Sequence, residues 1–257
     1  MQAEWETFKA QACKKLVDLE ERRIEEQMEG PTKVEDVCMG DVLLFGSTQK
    51  LPFAHLSNFT ATKEPFAYKG DLWSSSEHAY QAHLCLEPGE LEKMSFGSML
   101  SDMEKGAVAI DGSTAPKTMR FWGPKVQKNG VKRGMVGILA KKAVKEKTAK
   151  LLKLRLKPKP DFSTANVSSL FLDILKAKYE ADAELRDVLV KGTAGKYLLE
   201  FERGAQREGK KAKELNKPTR ISRWGGMITK EGLWGINLQG ELQMLMREWL
   251  LRRSAEN

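Results

Sequence analysis

The segment whose residue types best suit chemistry is residues 73–86 (WSSSEHAYQAHLCL), and Glu77 is its candidate reactive residue. Three serines precede Glu77, and serine is a favoured residue at the start of a helix. Apolar residues then recur, so the segment predicts a short buried helix with Glu77 in its first turn. A carboxylate in such a position can act as a general base or stabilise positive charge in a transition state.

A purely structural role for Glu77 competes with the chemical one. Ser74 and Glu77 have the spacing of a capping box, in which the glutamate accepts a hydrogen bond from the main-chain amide of the capping serine. Residues three and four apart are neighbours on a helix, so Glu77 shares one face with Tyr80, Gln81 and Leu84 in either case. The spacing alone leaves both roles open.

A longer series of short motifs surrounds this segment in a defined order. Their sequences are LSNF (56–59), PF (65–66), GDLW (70–73), SEHAYQA (76–82), AELR (183–186), Thr193, LE (199–200), WG (224–225), GINLQG (235–240) and LMRE (245–248). Each motif alone is unspecific. Together, over about residues 44–250, they resemble the NADAR family, whose members are N-glycosidases. The resemblance leaves out the N-terminal forty residues and one central insertion.

The resemblance implies that Glu77 is the catalytic carboxylate. It also implies a set of pocket residues around the substrate: Asn58, Phe59, Trp73, Gln81, Trp224, Gly225, Asn237 and Gly240. Cleavage of a bond from ribose C1 to nitrogen has a transition state with oxocarbenium character, which a nearby carboxylate stabilises. One carboxylate suffices for this reaction, and we expect no metal and no other cofactor.

This chain departs from the family pattern at positions that bear on activity. Many members have lysine at the position of Leu84, and many have aspartates at the positions of Ile221 and Gly226. These losses are compatible with a changed substrate or mechanism. They are equally compatible with an inactive module that binds ADP-ribose or NAD.

Three basic residues are candidates to replace the missing lysine, namely Lys69, Lys117 and Arg120. The last two lie in a basic stretch that ends at Trp122, as a stretch of the family does. This stretch either contacts phosphate or forms a solvated face, because exposed lysine and arginine are ordinary.

Tryptophans near these motifs have two possible roles. Trp73, Trp224 and Trp234 can stack on a nucleobase, which contributes about 1–3 kcal/mol per stacked base in comparable systems. They can equally be core residues, because buried tryptophans are common.

Positive charge is concentrated in residues 125–160. This segment holds eleven lysines and two arginines against Glu146, so its net charge is +12, while the whole chain carries +8. Such segments bind phosphate backbones or anionic surfaces, take part in nuclear import, or remain solvated insertions. The segment favours an ADP-ribosyl substrate, such as ADP-ribosylated guanine in a nucleotide or nucleic acid, over a phosphorylated riboflavin-pathway intermediate.

The element pattern predicts an α+β fold, a predominantly helical single domain with a few short strands. We expect an amphipathic helical extension over residues 1–40, which packs on its own domain or binds a partner, and an N-glycosidase-like domain over residues 41–257. Predicted elements are helices at 3–28, 91–109, 135–156 and 169–189, a last helix capped by Asn237, a strand at 41–45, a hairpin at 66–73 and a surface loop at 202–223.

Composition predicts an intracellular protein, cytoplasmic or nuclear, with no membrane partner. The 257 residues are 41% hydrophobic, yet no apolar run approaches the length of a membrane span and the N-terminus lacks a signal sequence. Cys13, Cys38 and Cys85 are dispersed, which suits free thiols in a reducing compartment. His78 and His83 lack zinc-ligand spacing, so no metal site is predicted. The oligomeric state stays open.

Overall fold

The computed structural model describes residues 2–33, 41–46, 52–95, 125–126, 132–133, 145–151, 153–158 and 161–256. Helices predominate among them and short strands occur in pairs, which confirms the predicted α+β, mainly helical class. The helices are α1 (Gln2–Glu29), α2 (Ser76–Cys85), α3 (Glu146–Leu151), α4 (Thr164–Ala181), α5 (Ala183–Val190), α6 (Ala205–Glu214) and α7 (Leu238–Glu256). The strands are β1 (Val42–Phe45), β2 (Phe66–Tyr68), β3 (Asp71–Trp73), β4 (Lys125–Val126), β5 (Lys132–Arg133), β6 (Tyr197–Glu200), β7 (Met227–Thr229) and β8 (Gly232–Trp234).

The strands form two-stranded pairs. β1 and β6 are parallel, with Val42 opposite Tyr197, whereas β2–β3, β4–β5 and β7–β8 are antiparallel. The predicted hairpin at 66–73 is therefore confirmed. Lys69 and Gly70 form its two-residue turn with φ of 50° and 87°, as a turn that matches the twist of the flanking strands requires. This hairpin leads directly into α2.

The chain divides into two compact units, each built from separate segments. Unit 1 comprises Met1–Gln49, Ser163–Leu172 and Asp187–Asn257, and unit 2 comprises Lys50–Phe162 and Asp173–Arg186. Helix α4 contributes its first part to unit 1 and its second part to unit 2. The division into an extension at 1–40 and a domain at 41–257 stays a prediction.

Helix α1 confirms the helix predicted for residues 3–28, and it packs within unit 1. The rings of Trp5 and Phe8 lie 5.1 and 5.3 Å from the ring of Trp249 in α7. Leu16 is buried as well. The apolar face of α1 is thus covered by its own unit, which is the ordinary fate of an amphipathic helix.

Helix α7 confirms the predicted C-terminal helix. Its apolar residues at three- and four-residue steps are all buried: Leu238, Leu242, Leu245, Met246 and Trp249. Across the described part of the chain, no helix has both the length and the apolarity needed to span a bilayer.

The surface loop predicted for residues 202–223 is wrong, because α6 occupies Ala205–Glu214. Its buried residues, Ala205, Gly209 and Ala212, are small and lie three or four positions apart. A Cβ on Gly209 would lie 2.3 Å from Cε3 of Trp234, so the helix backbone is in direct contact with this ring. Small residues give a weak hydrophobic signal, and this is why the sequence pattern missed the helix.

The helix predicted for residues 169–189 is present as two helices, α4 and α5, separated at Asp182. Oδ1 of Asp182 accepts a hydrogen bond from the amide of Leu185 at 2.9 Å, so this aspartate caps α5. Of the helices predicted at 91–109 and 135–156, only parts are described, including a 3₁₀ turn at Glu92–Met94 and helix α3. The remainder lies outside the described residues.

Candidate active site

Helix α2 begins one residue later than the capping-box pattern requires. Ser75 is the N-cap, with extended backbone, and its Oγ accepts a hydrogen bond from the amide of His78 at 3.3 Å. The capping-box positions are therefore Ser75 and His78, and Glu77 is the second residue of the helix. Ser74 and Glu77, whose spacing fits a capping box, therefore do not occupy the capping-box positions of this helix.

Glu77 is held on both its main chain and its side chain by Asn58 and Gln81, two of the predicted pocket residues. Its amide donates to the carbonyl of Asn58 at 3.0 Å, and its Oε1 accepts from Nε2 of Gln81 at 3.0 Å. The residue is only 5% exposed. The N-terminal end of a helix and a donated hydrogen bond both stabilise negative charge on this side chain.

Trp73 lies in the core beneath α2. The ring is fully buried and makes edge contacts with the rings of His78 and His83, at centroid distances of 4.8 and 5.0 Å. Its Nε1 donates to the carbonyl of Tyr68 at 3.1 Å. Of the two roles considered for Trp73, its contacts are those of a core residue. Phe59, another predicted pocket residue, is half-buried.

The two histidines of α2 are neutral. Burial lowers the pKa of His78 to about 3 and that of His83 to about 4. Nε2 of His78 is hydrogen-bonded to the carbonyl of Met94, while Nδ1 of His83 bonds the carbonyl of Ala79 at 2.9 Å. Neither imidazole is therefore a cation near pH 7, so neither can act as an acid in the imidazolium form.

Two lysines lie near the C-terminal half of α2. Lys69 is exposed, with its Nζ 5.3 Å from the ring centre of Tyr68. Nζ of Lys157 donates to the carbonyl of His83 at 2.8 Å, and both lysines add to the effect of burial in lowering the pKa of His83. Lys157 was not predicted as a site residue. It comes from the end of the basic segment, which pairs with the chain after α2 through a bridge between Leu86 and Leu156.

Lys117, Arg120 and Trp122, the other predicted phosphate-contact residues, lie outside the described residues. Leu84, where many family members have lysine, is buried. Within the described ranges, no cluster of histidine, cysteine, aspartate and glutamate has the arrangement of a metal site. Of the described residues, neither Cys13 nor Cys85 forms a disulfide.

Trp224 lies in unit 1 and is half-buried. Its ring makes an edge contact with Phe171 at 5.3 Å, and the guanidinium of Arg223 lies 6.0 Å from its ring centre. Arg223 is itself fixed by an ion pair with Glu20 at 2.8 Å and a hydrogen bond to Oγ1 of Thr164 at 2.6 Å. Trp224 is therefore contacted by Phe171 and by an arginine whose own position is fixed by Glu20 and Thr164.

Asn237 links the start of α7 to β6. Its Oδ1 accepts from the amide of Glu200 at 3.0 Å, and its Nδ2 donates to the carbonyl of Leu198 at 2.8 Å and to Oη of Tyr197 at 3.1 Å. The residue is fully buried and has φ of 56°, which asparagine tolerates. The expected cap of α7 by this side chain is replaced by contacts with the strand.

Gly225 and Gly240 allow close approach of main chains around Asn237. A Cβ on Gly240 would lie 2.0 Å from the carbonyl oxygen of Leu198, and one on Gly225 would lie 2.6 Å from that of Glu200. The close approach at Gly240 is that of a backbone. These glycines position α7 and the segment around Trp224 against β6.

The predicted site residues thus form two groups, one in each unit. Asn58, Phe59, Lys69, Trp73, Glu77 and Gln81 belong to unit 2, whereas Trp224, Gly225, Asn237 and Gly240 belong to unit 1. Direct hydrogen bonds connect Glu77 with Asn58 and Gln81. These three residues are the part of the predicted site that unit 2 brings together.

No protein-family model matches this chain, and no curated protein matches it. Among solved structures, it is similar to the NMR structure of the E. coli protein YbiA. The two share 21% sequence identity, and the similarity covers 84% of this chain and 89% of that chain with a TM-score of 0.48. The residues of the chain itself therefore remain the basis for assigning its function.

Proposed function

We propose that this protein is an N-glycosidase of NADAR type that hydrolyses a ribosyl N-glycosidic bond, with Glu77 as its catalytic carboxylate. The observation that carries the proposal is the setting of Glu77. It is a nearly buried carboxylate in the first turn of a helix, and its own unit provides Gln81 and Asn58 to fix its position. The ordered motifs around it supply the reaction class.

The setting suits base catalysis and charge stabilisation. In the proposed reaction the bond from ribose C1 to nitrogen breaks, and its electron pair stays on the nitrogen. The nitrogen is protonated by solvent or by another side chain. Ionised Glu77 stabilises the oxocarbenium-like C1 and accepts the proton of the attacking water. Gln81 keeps the carboxylate oriented, and the N-terminal end of α2 opposes its loss of charge.

We propose ADP-ribose attached to guanine, in a nucleotide or nucleic acid, as the substrate. The support is the excess of positive charge in residues 125–160, since a pyrophosphate or a phosphate backbone offers more negative charge than a single phosphate. The described end of this segment, with Lys157, contacts α2 of the same unit as Glu77. A nucleic-acid substrate also suits a cytoplasmic or nuclear protein.

The test is chromatographic analysis of products from two substrates, guanine-ADP-ribosylated DNA and the phosphorylated ribosylamine intermediate of riboflavin synthesis. We expect the protein to release ADP-ribose from the DNA and to leave the riboflavin intermediate uncleaved. Cleavage of the riboflavin intermediate alone would replace the proposed substrate but keep the reaction class. Binding of ADP-ribose in calorimetry without cleavage of either substrate would contradict an enzyme and indicate an inactive binding module.

A further inference from the structure

We propose that the outer face of α6 and its flanks bind the phosphate backbone of a nucleic acid. Between residues 203 and 220 the chain carries seven basic residues against Glu208 and Glu214. All seven side chains are exposed, and together they define the α6 basic surface: Arg203, Arg207, Lys210, Lys211, Lys213, Lys217 and Arg220. This surface is separate in sequence from the basic segment at 125–160.

The packing of α6 directs its charges outward. Ala205, Gly209 and Ala212 face the interior of unit 1, and the contact of Gly209 with the Trp234 ring brings the helix backbone close to the core. Arg207 and Lys210 are three residues apart, and Lys211 follows, so the three share the opposite face. The helix therefore presents a cationic face that its own unit does not cover.

Neighbouring carboxylates neutralise only part of this surface. Glu208 pairs with Arg207 at 3.1 Å and with Arg220 at 3.5 Å. Within the described residues, no carboxylate forms an ion pair with the remaining members of the surface, Arg203, Lys210, Lys211, Lys213 and Lys217. Lys213 donates to the main-chain carbonyl of Glu29. The other four cations are available to replace the counterions of a polyanion, which is the source of affinity in backbone binding.

The geometry favours a nucleic acid over an anionic membrane. A helix of ten residues is about 15 Å long, and duplex DNA presents one negative charge for roughly every 1.7 Å of its axis, so several phosphates lie within reach of the surface. A helix that binds at a membrane surface instead needs large apolar residues free to enter the lipid on the face opposite its charges. In α6 that face consists of alanine and glycine and is already buried against protein.

The surface continues along the chain towards a predicted site segment of the same unit. Arg220 ends a 3₁₀ turn, Pro218–Arg220, and lies four residues before Trp224. The α6 basic surface is therefore close in sequence to Trp224 and Gly225. The inference rests on the proposed function for the identity of the modified base, but backbone binding itself requires no hydrolysis.

Fluorescence anisotropy with a short labelled, unmodified DNA duplex tests the inference at salt concentrations between about 50 and 200 mM. The Lys210→Gln/Lys211→Gln variant is compared with Lys14→Gln/Lys15→Gln, which neutralises an adjacent, exposed lysine pair on α1. The two variants have the same net charge and both substitute exposed helical positions. Circular dichroism spectra that match the wild type confirm that each is folded.

We expect the Lys210→Gln/Lys211→Gln variant to bind DNA more weakly and to reduce the slope of log K against log salt by about 1 for each phosphate that it no longer neutralises. The α1 variant should keep the wild-type slope. Equal weakening in both variants would mean that net charge alone, and not the α6 basic surface, determines DNA binding. Binding at the wild-type level by both variants would show that the α6 basic surface does not bind DNA. Binding to vesicles that contain phosphatidylserine, without binding to DNA, would also overturn it.

Glu77→Gln separates this inference from the proposed reaction. This variant should bind the unmodified duplex with the wild-type slope, since Glu77 is not part of the α6 basic surface. If the wild-type protein binds the duplex with this salt dependence but hydrolyses no ribosyl substrate, the proposed enzyme is contradicted and the surface is supported. Hydrolysis by the wild type, with DNA binding unchanged in Lys210→Gln/Lys211→Gln, would support the proposed enzyme and contradict the surface.

Discussion

Gln27 of α1 bonds both main-chain polar groups of Gly235. The amide of Gly235 donates to Oε1 of Gln27 at 2.7 Å, and Nε2 of Gln27 donates to the carbonyl of Gly235 at 3.0 Å. Gln27 is fully buried, and Gly235 has φ of 94°. The N-terminal helix thereby fixes the turn that leads from β8 to Asn237, although it lies outside the motifs that resemble the family.

The first prediction concerns this pair. Gln27→Leu leaves a buried amide and a buried carbonyl without partners, and each such group costs about 1–3 kcal/mol. We expect the free energy of unfolding, measured in urea, to fall by an amount in this range or above it. Gln11→Leu changes an exposed glutamine of the same helix and should shift that free energy by no more than about 0.5 kcal/mol. Equal effects would show that the Gly235 contacts contribute nothing.

The buried polar residues of α1 also show where sequence reasoning stops. The amphipathic helix was predictable because helical periodicity is visible within one segment, and its apolar face holds the buried Trp5, Phe8 and Leu16. Arg23 and Gln27 were not predicted to be buried. Their partners, Glu241 and Gly235, lie more than 200 residues away in sequence, so no local pattern could reveal them.

The second prediction concerns the contact between α6 and Trp234. Alanine is intrinsically better than glycine in a helix by about 1 kcal/mol, but a Cβ at Gly209 would overlap the ring of a buried tryptophan. We expect Gly209→Ala to lower the free energy of unfolding by about 1–3 kcal/mol. Gly204→Ala is the control, because its Cβ would meet only Nη2 of Arg207 at 3.8 Å. Thermal unfolding that is unchanged in Gly209→Ala would contradict the packing described for α6.

The third prediction concerns acid stability. The pKa values of His78 and His83 in the folded protein are about 3 and about 4, below the ordinary value of 6.5. Below pH 6.5 the unfolded chain therefore binds protons that the folded chain does not, and stability is lost as the pH falls from 6.5 towards 4. Each histidine contributes a slope of about 1.4 kcal/mol per pH unit at most.

Urea unfolding over this pH range checks the acid dependence. The unfolded protein binds more protons than the folded protein in this range, and His83→Gln should reduce that difference by about one proton. The comparison uses the slope of the free energy against pH rather than its absolute value, so a general destabilisation by the substitution does not affect it. An unchanged slope in His83→Gln would mean that His83 is not neutral in the folded protein.

The fourth prediction concerns Lys178, which is fully buried in unit 2 and donates to the carbonyl of His55 at 3.1 Å. Burial lowers its pKa from 10.5 to about 7, against the opposing effect of Asp182. Between these pH values the unfolded chain binds more protons than the folded one, so stability rises with pH from about 7 to about 10.5. Below pH 7 both states are protonated and Lys178 adds no pH dependence.

Lys178→Met should flatten this rise in the free energy of unfolding, measured by urea titration at several alkaline pH values. Lys176→Met is the matched control, because it removes the same charge from the same helix at a residue that is only partly buried. The control should keep the wild-type dependence on pH. If Lys178→Met retains it as well, Lys178 is charged in the folded protein.

The candidate site was predictable to the extent that it is local. Glu77 and Gln81 are four residues apart on one helix, so their contact follows from helical spacing. The choice of Ser75 rather than Ser74 as the N-cap did not follow, since both are serines. Asn237 was predicted as a helix cap and pocket residue, yet its side chain bonds β6, a strand whose position depends on tertiary structure. Lys157 was missed because a strand bridge, not a motif, brings it to α2.

The central claim is that the Glu77 carboxylate performs the hydrolysis. Its most direct test is the single-turnover rate of ADP-ribose release from guanine-ADP-ribosylated DNA by wild type, Glu77→Gln and Glu64→Gln. Glu64 is an exposed glutamate of the same unit, so it controls for loss of one negative charge. We expect Glu77→Gln to slow release by about 10²–10⁴-fold and Glu64→Gln to leave the rate unchanged. A folded Glu77→Gln protein that releases ADP-ribose at the wild-type rate would contradict the claim.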